Sequence, residues 1–426
     1  MNSPRLLVIS VDAMEDVDEA YARTLPAFGR ILADPARAQI QAVFPTLTYP
    51  NHTAQITGCP PAVTGIFNNV QMQAGVDHPD WFWWYKLIQV PTLLDRAAAL
   101  GMKIATVQWP VTAGAPFDVV VPEIGNEDRT GGVEATMRAA CSERGYELFE
   151  AHRDKIIEKP KRNHGPFAAA VAAEVLRADR PDVMFLHLVE LDAARHKHGP
   201  RGPHVEEALR TVDGRLATIL AALDEIGADE TNIVIVSDHG QLDVVQHTNL
   251  NTLLAQRGLL ATDGHGHLLN WDAYVHSSGL SGQLFVSPDI TAEKRRRLED
   301  LLDEVLADPT YRIRKVWTAR DARDAFGLDG PFDYVLESDP GVIVGGALDR
   351  RAVVRNTDPD FGGNLGNHGH HPGAGGQPVF FATGPAFVPG ADAGRHKMID
   401  EAPTLARALG VELPAARGVA MEDLLE

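Results

Sequence analysis

Seven residues of types that bind divalent metals or act as nucleophiles each lie at the end of a predicted strand or in the loop that follows. Carboxylates and imidazoles that converge at one place can hold two divalent metals, and a two-metal centre suits phosphoryl transfer. The sequence therefore predicts a metal centre that could act on phosphate esters. In chain order the residues are Asp12, Thr48, Asp192, His196, Asp238, His239 and His368.

The three aspartates each follow an apolar run, at residues 6–11, 183–189 and 233–237. Continuous apolar runs are typical of strands that are buried on both faces, as in a parallel sheet. Ligands of open α/β sheets gather outside the carboxyl ends of such strands. We therefore expect the aspartates to meet at one edge of a parallel sheet.

Strand-like and helix-like segments alternate along most of the chain, which predicts an α/β fold with a mostly parallel central sheet covered on both faces. Residues 241–365 differ in character, because they combine a Gly/His-rich segment with short strands and a charged helix. We expect a catalytic core at 1–240 and 366–426 and a smaller α/β insertion, or cap, at 241–365. Predicted strands include 5–12, 39–44, 283–286 and 379–382, and predicted helices include 91–101, 166–179, 204–226, 291–307 and 401–409.

The composition is that of a large globular protein, with 426 residues, 44% hydrophobic and 23% charged. A net charge of −19 argues against a nucleic-acid duplex as partner. It does not argue against a small phosphorylated substrate, because bound metals can reverse the local field. The two cysteines, Cys59 and Cys141, imply no disulfide framework.

The first residues and the hydropathy of the chain bear on the cellular location of the protein. The first predicted strand begins at about Arg5, which leaves no room for a signal peptide. No apolar stretch approaches the ~20 residues that span a bilayer. We expect a cytoplasmic protein with no membrane partner, and the sequence leaves its oligomeric state open.

The segment from Phe44 to His52 lies between a predicted strand and a predicted helix, for which Asn51 is a candidate N-cap. A hydroxyl at a helix N-terminus faces backbone N–H groups and the positive end of the helix dipole, which both favour phosphate. Thr46 and Thr48 are both candidates on these grounds. A threonine can act as a nucleophile only if a metal or a base lowers the pKa of its hydroxyl. The alternative is that these threonines only make local hydrogen bonds in the loop, which is the ordinary role of such residues.

The order of these segments resembles the nucleotide pyrophosphatase/phosphodiesterase family of the alkaline phosphatase superfamily. The nucleophile segment of that family reads roughly Pro-x-x-Thr-aromatic-Pro-Asn-His, followed by Thr-Gly and Gly-Ile-x-x-Asn. This chain has matching residues at 45–52, 57–58 and 65–69. The resemblance implies an alkaline-phosphatase-like three-layer α/β/α sandwich.

The resemblance also implies roles for residues of the nucleophile segment. It assigns Thr48, not Thr46, as the nucleophile. It assigns Asn69 as the side chain that contacts a non-bridging phosphoryl oxygen. Tyr49 would supply a face on which a nucleobase or another flat group stacks.

The metal ligands implied by the resemblance lie in three further motifs. Asp192 and His196 are four residues apart, so one helical turn would direct both side chains to the same side. The run from His196 to Pro200 matches the family's His-x-x-Gly-Pro, although His198 is a local rival as ligand. The motifs 237–240 and 367–369 match as well, whereas His370 and His371 depart from the family's Tyr-Asp and have no assigned role.

By this resemblance the chain binds two divalent metal ions, which we expect to be zinc because aspartate and histidine suit that ion. One metal would be held by Asp192, His196 and His368. The other would be held by Asp12, Asp238, His239 and Thr48.

The remaining histidines and one aromatic segment have less specific interpretations. We expect His187 to be a packed core residue and His265 and His267 to be exposed in a Gly-rich loop. His52 is typical of the family but receives no ligand role. The segment 81–85, Trp-Phe-Trp-Trp-Tyr, is either part of the core or an aromatic wall beside the substrate.

The leading hypothesis is a phosphodiesterase or nucleotide pyrophosphatase that cleaves phosphodiester or phosphoanhydride bonds through a phosphothreonine intermediate. Its substrate would be small, phosphorylated and nucleotide-containing. The run 57–63 also looks like that of phosphonoacetate hydrolases, which break a C–P bond, although Tyr49 argues against that function. A phosphomonoesterase of the same superfamily and a non-catalytic binding protein are two further hypotheses.

Overall fold

Helices and strands alternate through the computed structural model, which describes residues 5–76, 78–124, 132–156, 164–263, 265–348 and 350–426. The strands are β1 Leu6–Val11, β2 Ala36–Gln41, β3 Ile104–Val107, β4 Val119–Val121, β5 Val183–Leu188, β6 Asn232–Val236, β7 Leu242–Asp243, β8 Gln246–Asn249, β9 Leu260–Thr262, β10 Leu268–Trp271, β11 Ala273–Ser277, β12 Ser281–Val286, β13 Ile313–Thr318, β14 Tyr334–Ser338, β15 Val342–Gly345, β16 Val353–Arg355, β17 Gly366–Asn367, β18 Val379–Thr383 and β19 Asp392–Lys397. The α-helices are α1 Glu19–Ala22, α2 Pro26–Ile31, α3 Thr48–Thr57, α4 Pro61–Thr64, α5 Leu93–Ala99, α6 Gly132–Ala140, α7 Glu143–His152, α8 His164–Glu174, α9 Glu190–His198, α10 Pro203–Glu225, α11 Leu250–Gln256, α12 Ala292–Ala307, α13 Ala319–Phe326 and α14 Glu401–Leu409.

An eight-stranded sheet forms the centre of the protein, in the order β19-β2-β18-β6-β1-β5-β3-β4. The neighbours from β6 to β4 are all parallel. Strand β18 runs antiparallel to both β6 and β2, and β19 is parallel to β2. Only β18 is reversed, so the prediction of a mostly parallel sheet is confirmed.

Two hydrophobic clusters cover the two faces of this sheet. Alternate residues of a strand point to opposite faces. Leu7 and Ile9 of β1 therefore belong to the cluster that contains α8 and α10, and Leu6 and Val8 to the cluster that contains α5 and α14. Burial on both faces explains why β1 reads as a continuous apolar run. The three-layer α/β/α sandwich is confirmed.

One predicted strand is displaced from its observed position. The sequence favours a strand at 39–44, whereas β2 spans Ala36–Gln41. The chain leaves the sheet after Gln41, and the backbone N–H of Val43 donates instead to the side chain of Asn51, at 2.8 Å. A side chain in the following helix thus ends the strand early.

The residues between β6 and β18 form several smaller sheets. The largest has the order β11-β12-β14-β13 and is antiparallel. It packs with α11 and α12 around a hydrophobic cluster of its own, which includes Leu254, Leu298 and Leu336. Where this region leaves and rejoins the core, β7 pairs with β17. These observations suit a cap, and the exact bounds at 241 and 365 stay a prediction.

The direction of β18 matters for the site. Because β18 is antiparallel to β6, its N-terminal end lies at the same edge as the carboxyl ends of β1, β5 and β6. The segment that precedes β18 and carries His368 therefore reaches the edge at which Asp12, Asp192 and Asp238 follow their strands. Every helix in the described part of the chain is too short or too polar to cross a bilayer.

Candidate active site

The candidate nucleophile begins a helix. Helix α3 starts at Thr48, and Leu47 is the residue at its N-cap position. The prediction that Asn51 caps this helix is wrong, because Asn51 lies in the first turn. Its side chain accepts from Val43 N and donates to Leu47 O, both at 2.8 Å, and so fastens the preceding loop to the helix.

The structure separates the two threonines of this segment. Thr46 donates its hydroxyl to His370 O and accepts from Gly369 N, each at 3.0 Å, so it holds two loops together. Thr48 is 8% exposed, and its Oγ1 lies 3.2 Å from Nε2 of His239. Of the two hydroxyls, only that of Thr48 thus faces a candidate metal ligand.

Asp12, Asp238 and His239 form one group of possible metal ligands whose donor atoms all lie within 4.8 Å of one another. His239 Nε2 is 3.0 Å from Asp238 Oδ2 and 3.6 Å from Asp12 Oδ1. These two carboxylate oxygens are buried and make no hydrogen bond with the described residues. Buried charge without compensation is costly, and a divalent cation would compensate both oxygens. The group fits a metal.

Asp192, His196 and His368 lie beside the first group. His196 donates through Nδ1 to Gly366 O at 2.8 Å, and His368 donates through Nδ1 to Thr46 O at 3.2 Å. Because a carbonyl can only accept, these bonds leave Nε2 of both rings as the ligand atom. The two Nε2 atoms lie 3.3 Å and 3.8 Å from Asp192 Oδ1.

His239 joins the two groups. Asp192, His239 and His368 also have donor atoms within 4.8 Å of one another, a combination that the sequence does not indicate. The rings of His239 and His368 are stacked, with centroids 3.8 Å apart. Gln241 donates to Asp192 Oδ1 at 2.6 Å and so helps to orient that carboxylate. The predicted ligands therefore converge, and which of them hold which ion stays a prediction.

The crowding of acidic groups shifts protonation in this centre. Burial, with the charges of Asp238 and Asp192, raises the pKa of Asp12 to about 8. Burial lowers the pKa of His239, but Asp238, Asp12 and Asp192 outweigh it and raise that pKa to about 9. Metal ligands must be deprotonated, so binding of a cation here displaces protons.

Asn69 and Tyr49 lie beside Thr48. The Asn69 side-chain oxygen accepts from Tyr49 N at 2.8 Å, so the other end of the amide is its NH₂ group, a donor suited to a phosphoryl oxygen. The Tyr49 side chain is 1% exposed and packs edge-on against Trp81, whose exposure is 36%. Stacking of a base on Tyr49 itself requires Trp81 or another neighbour to move, and it stays a prediction.

The aromatic segment 81–85 is partly core and partly surface. Phe82 and Trp83 are buried, whereas Trp81 is exposed. Phe82 donates its backbone N–H to Asn69 O at 2.9 Å, which fixes the segment beside the candidate site. The segment thus belongs to the core at Phe82 and Trp83 and to the surface at Trp81.

His187 is more than the packed core residue that the sequence predicts. It is buried, but its Nε2 lies 3.2 Å from Asp12 Oδ2 and its Nδ1 lies 3.7 Å from Glu123 Oε2. Burial lowers the pKa of His187, but the two carboxylates outweigh burial and raise it. The one signal in the sequence is a polar residue inside an apolar strand. The prediction that His265 and His267 are exposed is confirmed.

Arg195 contributes to the site although no sequence motif indicates it. It lies between Asp192 and His196 in α9 and is fully buried. Its Nη2 donates to both carboxylate oxygens of Asp18 at 2.8 Å, and its Nη1 lies 3.4 Å from Glu15. Glu15 Oε1 in turn accepts from the backbone N–H that follows Gly240, at 3.0 Å. This network ties α9 to the segments that follow β1 and β6, so it connects both groups of ligands.

Fold and site together define a class: an alkaline-phosphatase-like α/β protein with two adjoining groups of metal ligands and a threonine at a helix N-terminus. The model of the type I phosphodiesterase/nucleotide pyrophosphatase family matches residues 6–369. The chain belongs to that family.

Curated relatives share a part of their sequence with this chain. Human ectonucleotide pyrophosphatase/phosphodiesterase family member 1 is 24% identical over a match of 220 residues, and the match covers 47% of this chain and 19% of the relative. Rat family member 3 is 24% identical over a match of 251 residues, which covers 56% of this chain and 25% of the relative. The matched region thus spans a quarter or less of the length of these relatives.

Solved structures show the same fold over the whole chain. Murine ectonucleotide pyrophosphatase/phosphodiesterase 5, an inactive threonine-to-alanine variant in complex with AMP, has a TM-score of 0.69 at 18% identity, with 100% of both chains covered. The human protein of the same name has a TM-score of 0.70 at 18% identity, covering 99% of this chain and 100% of its own. The comparisons lend no support to phosphonoacetate hydrolysis.

Proposed function

We propose that the protein is a metal-dependent phosphodiesterase or nucleotide pyrophosphatase that forms a phosphothreonine intermediate at Thr48. The observation that carries this proposal is the position of Thr48 Oγ1, at the start of α3 and 3.2 Å from the candidate ligand His239. Hydrolysis would proceed in two displacements, of the leaving group by Thr48 and of Thr48 by water.

The residues present suit these steps. Asp12, Asp238, His239 and Thr48 would hold one divalent ion, and Asp192, His196 and His368 the other. Two such ions, which we propose to be zinc, supply Lewis-acid stabilisation and a lowered pKa for hydroxyl and water when bound. The first backbone N–H groups of α3 and the amide of Asn69 would donate to the phosphoryl oxygens as their charge grows.

A nucleotide-containing substrate is the proposed class. Family members are named nucleotide pyrophosphatases, and the murine protein of similar fold was captured with AMP. In this chain Tyr49 follows the nucleophile and packs edge-on against the exposed Trp81, which could hold a base or another flat group. Stacking on an aromatic side chain contributes about 1–3 kcal/mol per base.

Thr48→Ala tests the nucleophile. We expect turnover of bis-p-nitrophenyl phosphate to fall by roughly 10³-fold or more, because the group that attacks phosphorus and carries the covalent intermediate is lost. Metal content, measured by inductively coupled plasma mass spectrometry, should stay near that of the wild type, since the Asp and His ligands are intact.

Thr48→Ser is the matched control, because it keeps the hydroxyl and should keep measurable turnover. Thr46→Ala changes the neighbouring threonine, which bonds to the loop at His370, and should affect stability more than chemistry. Near-normal turnover by Thr48→Ala with full metal content would exclude the covalent scheme.

A further inference from the structure

A cavity of about 460 Å³ lies between the cap and the loop that follows β17. Arg314, Lys315 and Trp317 of β13, Glu337 of β14 and His371 of the loop line it. None of these residues belongs to the two groups of candidate metal ligands. The cavity therefore lies outside the chemistry proposed for Thr48 and the metals.

The cavity is positively charged in a chain whose net charge is −19. Its lining has two permanent cations, Arg314 and Lys315, and one carboxylate, Glu337. One oxygen of Glu337 accepts from Trp317 Nε1 at 2.9 Å, and the other lies 4.0 Å from Arg314 Nη1. The Arg314 side chain is 64% exposed, so its remaining N–H groups are accessible to a ligand. An anion fits this lining.

A β-bulge brings the two cations to the same cavity. Successive residues of a regular strand point to opposite faces, so Arg314 and Lys315 would ordinarily diverge. The pairing of β13 with β14 shifts register between Ile313 and Lys315, and a bulge of this kind redirects a side chain. Lys315 Nζ is also held 3.2 Å from the centre of the Trp317 ring, a cation–π contact. Lys315 is thus held in place before any ligand binds.

The cavity and the candidate metal centre share a short loop. His371 is three residues from His368, and three residues span at most about 11 Å. On the cap side, Ser281 pairs with Glu337 and donates its hydroxyl to Gly369 O at 2.6 Å. These two connections place the lining of the cavity beside the loop that carries His368, one of the candidate metal ligands.

We propose that the Arg314–Lys315 cavity binds a phosphate group on the part of the substrate that leaves. The proposal rests on the proposed function, because it concerns the same substrate. Guanidinium and ammonium groups are the usual partners of phosphate, arginine through paired N–H donors and lysine as a point charge. The ligand class is a nucleotide with a phosphate monoester or anhydride distant from the scissile bond.

The test compares a dinucleoside monophosphate with its 5′-phosphorylated form. For the wild type we expect KM for the phosphorylated form to be at least about tenfold lower, since each charge-assisted hydrogen bond can contribute that much. In the double variant Arg314→Ala/Lys315→Ala the ratio of the two KM values should fall below about twofold. The matched control, Arg295→Ala/Arg296→Ala, removes two cations from α12, away from the cavity, and should keep the tenfold ratio.

Several outcomes would overturn the proposal. One is a wild type without preference for the phosphorylated dinucleotide, and another is a double variant that keeps the preference. A third outcome is that inorganic phosphate binds through Arg314 and Lys315 while the wild type has the same KM for both dinucleotides. The cavity would then be a site for free phosphate instead.

Calorimetric binding of both dinucleotides to the Thr48→Ala protein separates this proposal from the proposed function. Binding that is stronger for the phosphorylated form and depends on Arg314 and Lys315 supports the cavity even if the wild type hydrolyses neither compound. Equal binding of both forms contradicts the cavity even if hydrolysis is rapid.

Discussion

His187 is a side chain outside the predicted ligand set that lies beside one of the candidate ligands. Its imidazole lies between Asp12, at 3.2 Å, and Glu123, at 3.7 Å. Its ring also packs edge-on against His52, with centroids 4.4 Å apart. We infer that His187 fixes the orientation in which Asp12 meets a metal, as groups behind a ligand commonly do.

His187→Phe keeps an aromatic ring of similar size but removes the nitrogen that faces Asp12. We expect zinc affinity, measured by titration against a competing chelator, to fall by about 10–100-fold. His265→Phe, in an exposed loop, should leave zinc affinity unchanged. Wild-type affinity in the His187 variant would mean that this histidine only fills space.

The site residues divide into those that a sequence can indicate and those that it cannot. Asp12, Thr48, Asp238 and the remaining ligands lie in short motifs, and the resemblance of these motifs to those of the family indicates the residues, since local features alone leave both Thr46 and Thr48 open. Arg195 has no such signal, because its partners Glu15 and Asp18 lie far away in the chain. The sequence around an arginine does not show whether the side chain is buried or exposed to solvent. Only the fold shows that distant carboxylates lie against Arg195.

At the scale of elements, α3 and α14 pack against each other through a buried acid. Glu401, in the first turn of α14, is fully buried. Gln55 of α3 donates to Ser237 O at 2.9 Å, and this leaves its own oxygen as an acceptor. That oxygen and both carboxyl oxygens of Glu401 are buried and make no hydrogen bond with the described residues. Burial, with Asp400 and Asp238 nearby, raises the pKa of Glu401 well above its ordinary 4.5, although the Gln55 contact opposes the shift.

Glu401→Gln tests the protonation of this buried acid through the pH dependence of stability. A carboxyl whose pKa is raised on folding binds more protons when folded, so the free energy of unfolding falls as pH rises above 4.5. The loss is up to about 1.4 kcal/mol per pH unit until the folded pKa is reached. Urea unfolding at pH 5 and pH 8 should show a smaller loss for Glu401→Gln than for the wild type.

The exposed Glu412→Gln is the control for this measurement, and it should follow the pH dependence of the wild type. If Glu401→Gln also followed it, Glu401 would be ionised in the folded protein.

Most elements are predictable from the sequence, and the errors have local causes. The helices predicted at 204–226 and 291–307 agree with α10 and α12 to within a residue, because their apolar spacing is long and regular. The helix predicted at 166–179 is α8 up to Glu174 and then a π-helix, Val175–Asp179. The strand predicted at 39–44 is wrong at its end because Asn51, a candidate cap by its residue type, bonds back to Val43.

At the scale of the whole molecule, the fold brings ligands from several distant segments to one edge of the sheet. The segment before the reversed strand β18 places His368 at that edge. Strands β7 and β17 pair where the cap leaves and rejoins the core. Segments that are far apart in the chain thus form one centre. Sequence motifs indicate the candidate ligands one by one, but they do not show that His239 lies close to both groups of ligands. The cytoplasmic location stays a prediction.

Metal binding should depend strongly on pH. A cation must displace protons from Asp12, whose pKa is raised to about 8, and from His239, whose pKa is raised to about 9. Apparent zinc affinity should therefore fall as pH decreases below these values, by up to about tenfold per unit for each proton displaced. Affinity should level off once pH exceeds the higher of the two values.

Titration of the chelator-treated protein with zinc at a series of pH values from about 6 to about 9 measures this dependence, and about two equivalents should bind. Constant affinity over that range would contradict the protonation of Asp12 and His239, and binding of no zinc at any pH would contradict a metal centre.

The stereochemistry at phosphorus tests the covalent role of Thr48 most directly. A phosphorothioate diester of defined configuration is hydrolysed in ¹⁸O-labelled water, and the configuration of the product is determined. Each in-line displacement inverts phosphorus, so attack by Thr48 followed by attack of water predicts overall retention. Inversion would mean that water attacks the substrate in a single step, and it would contradict the phosphothreonine intermediate.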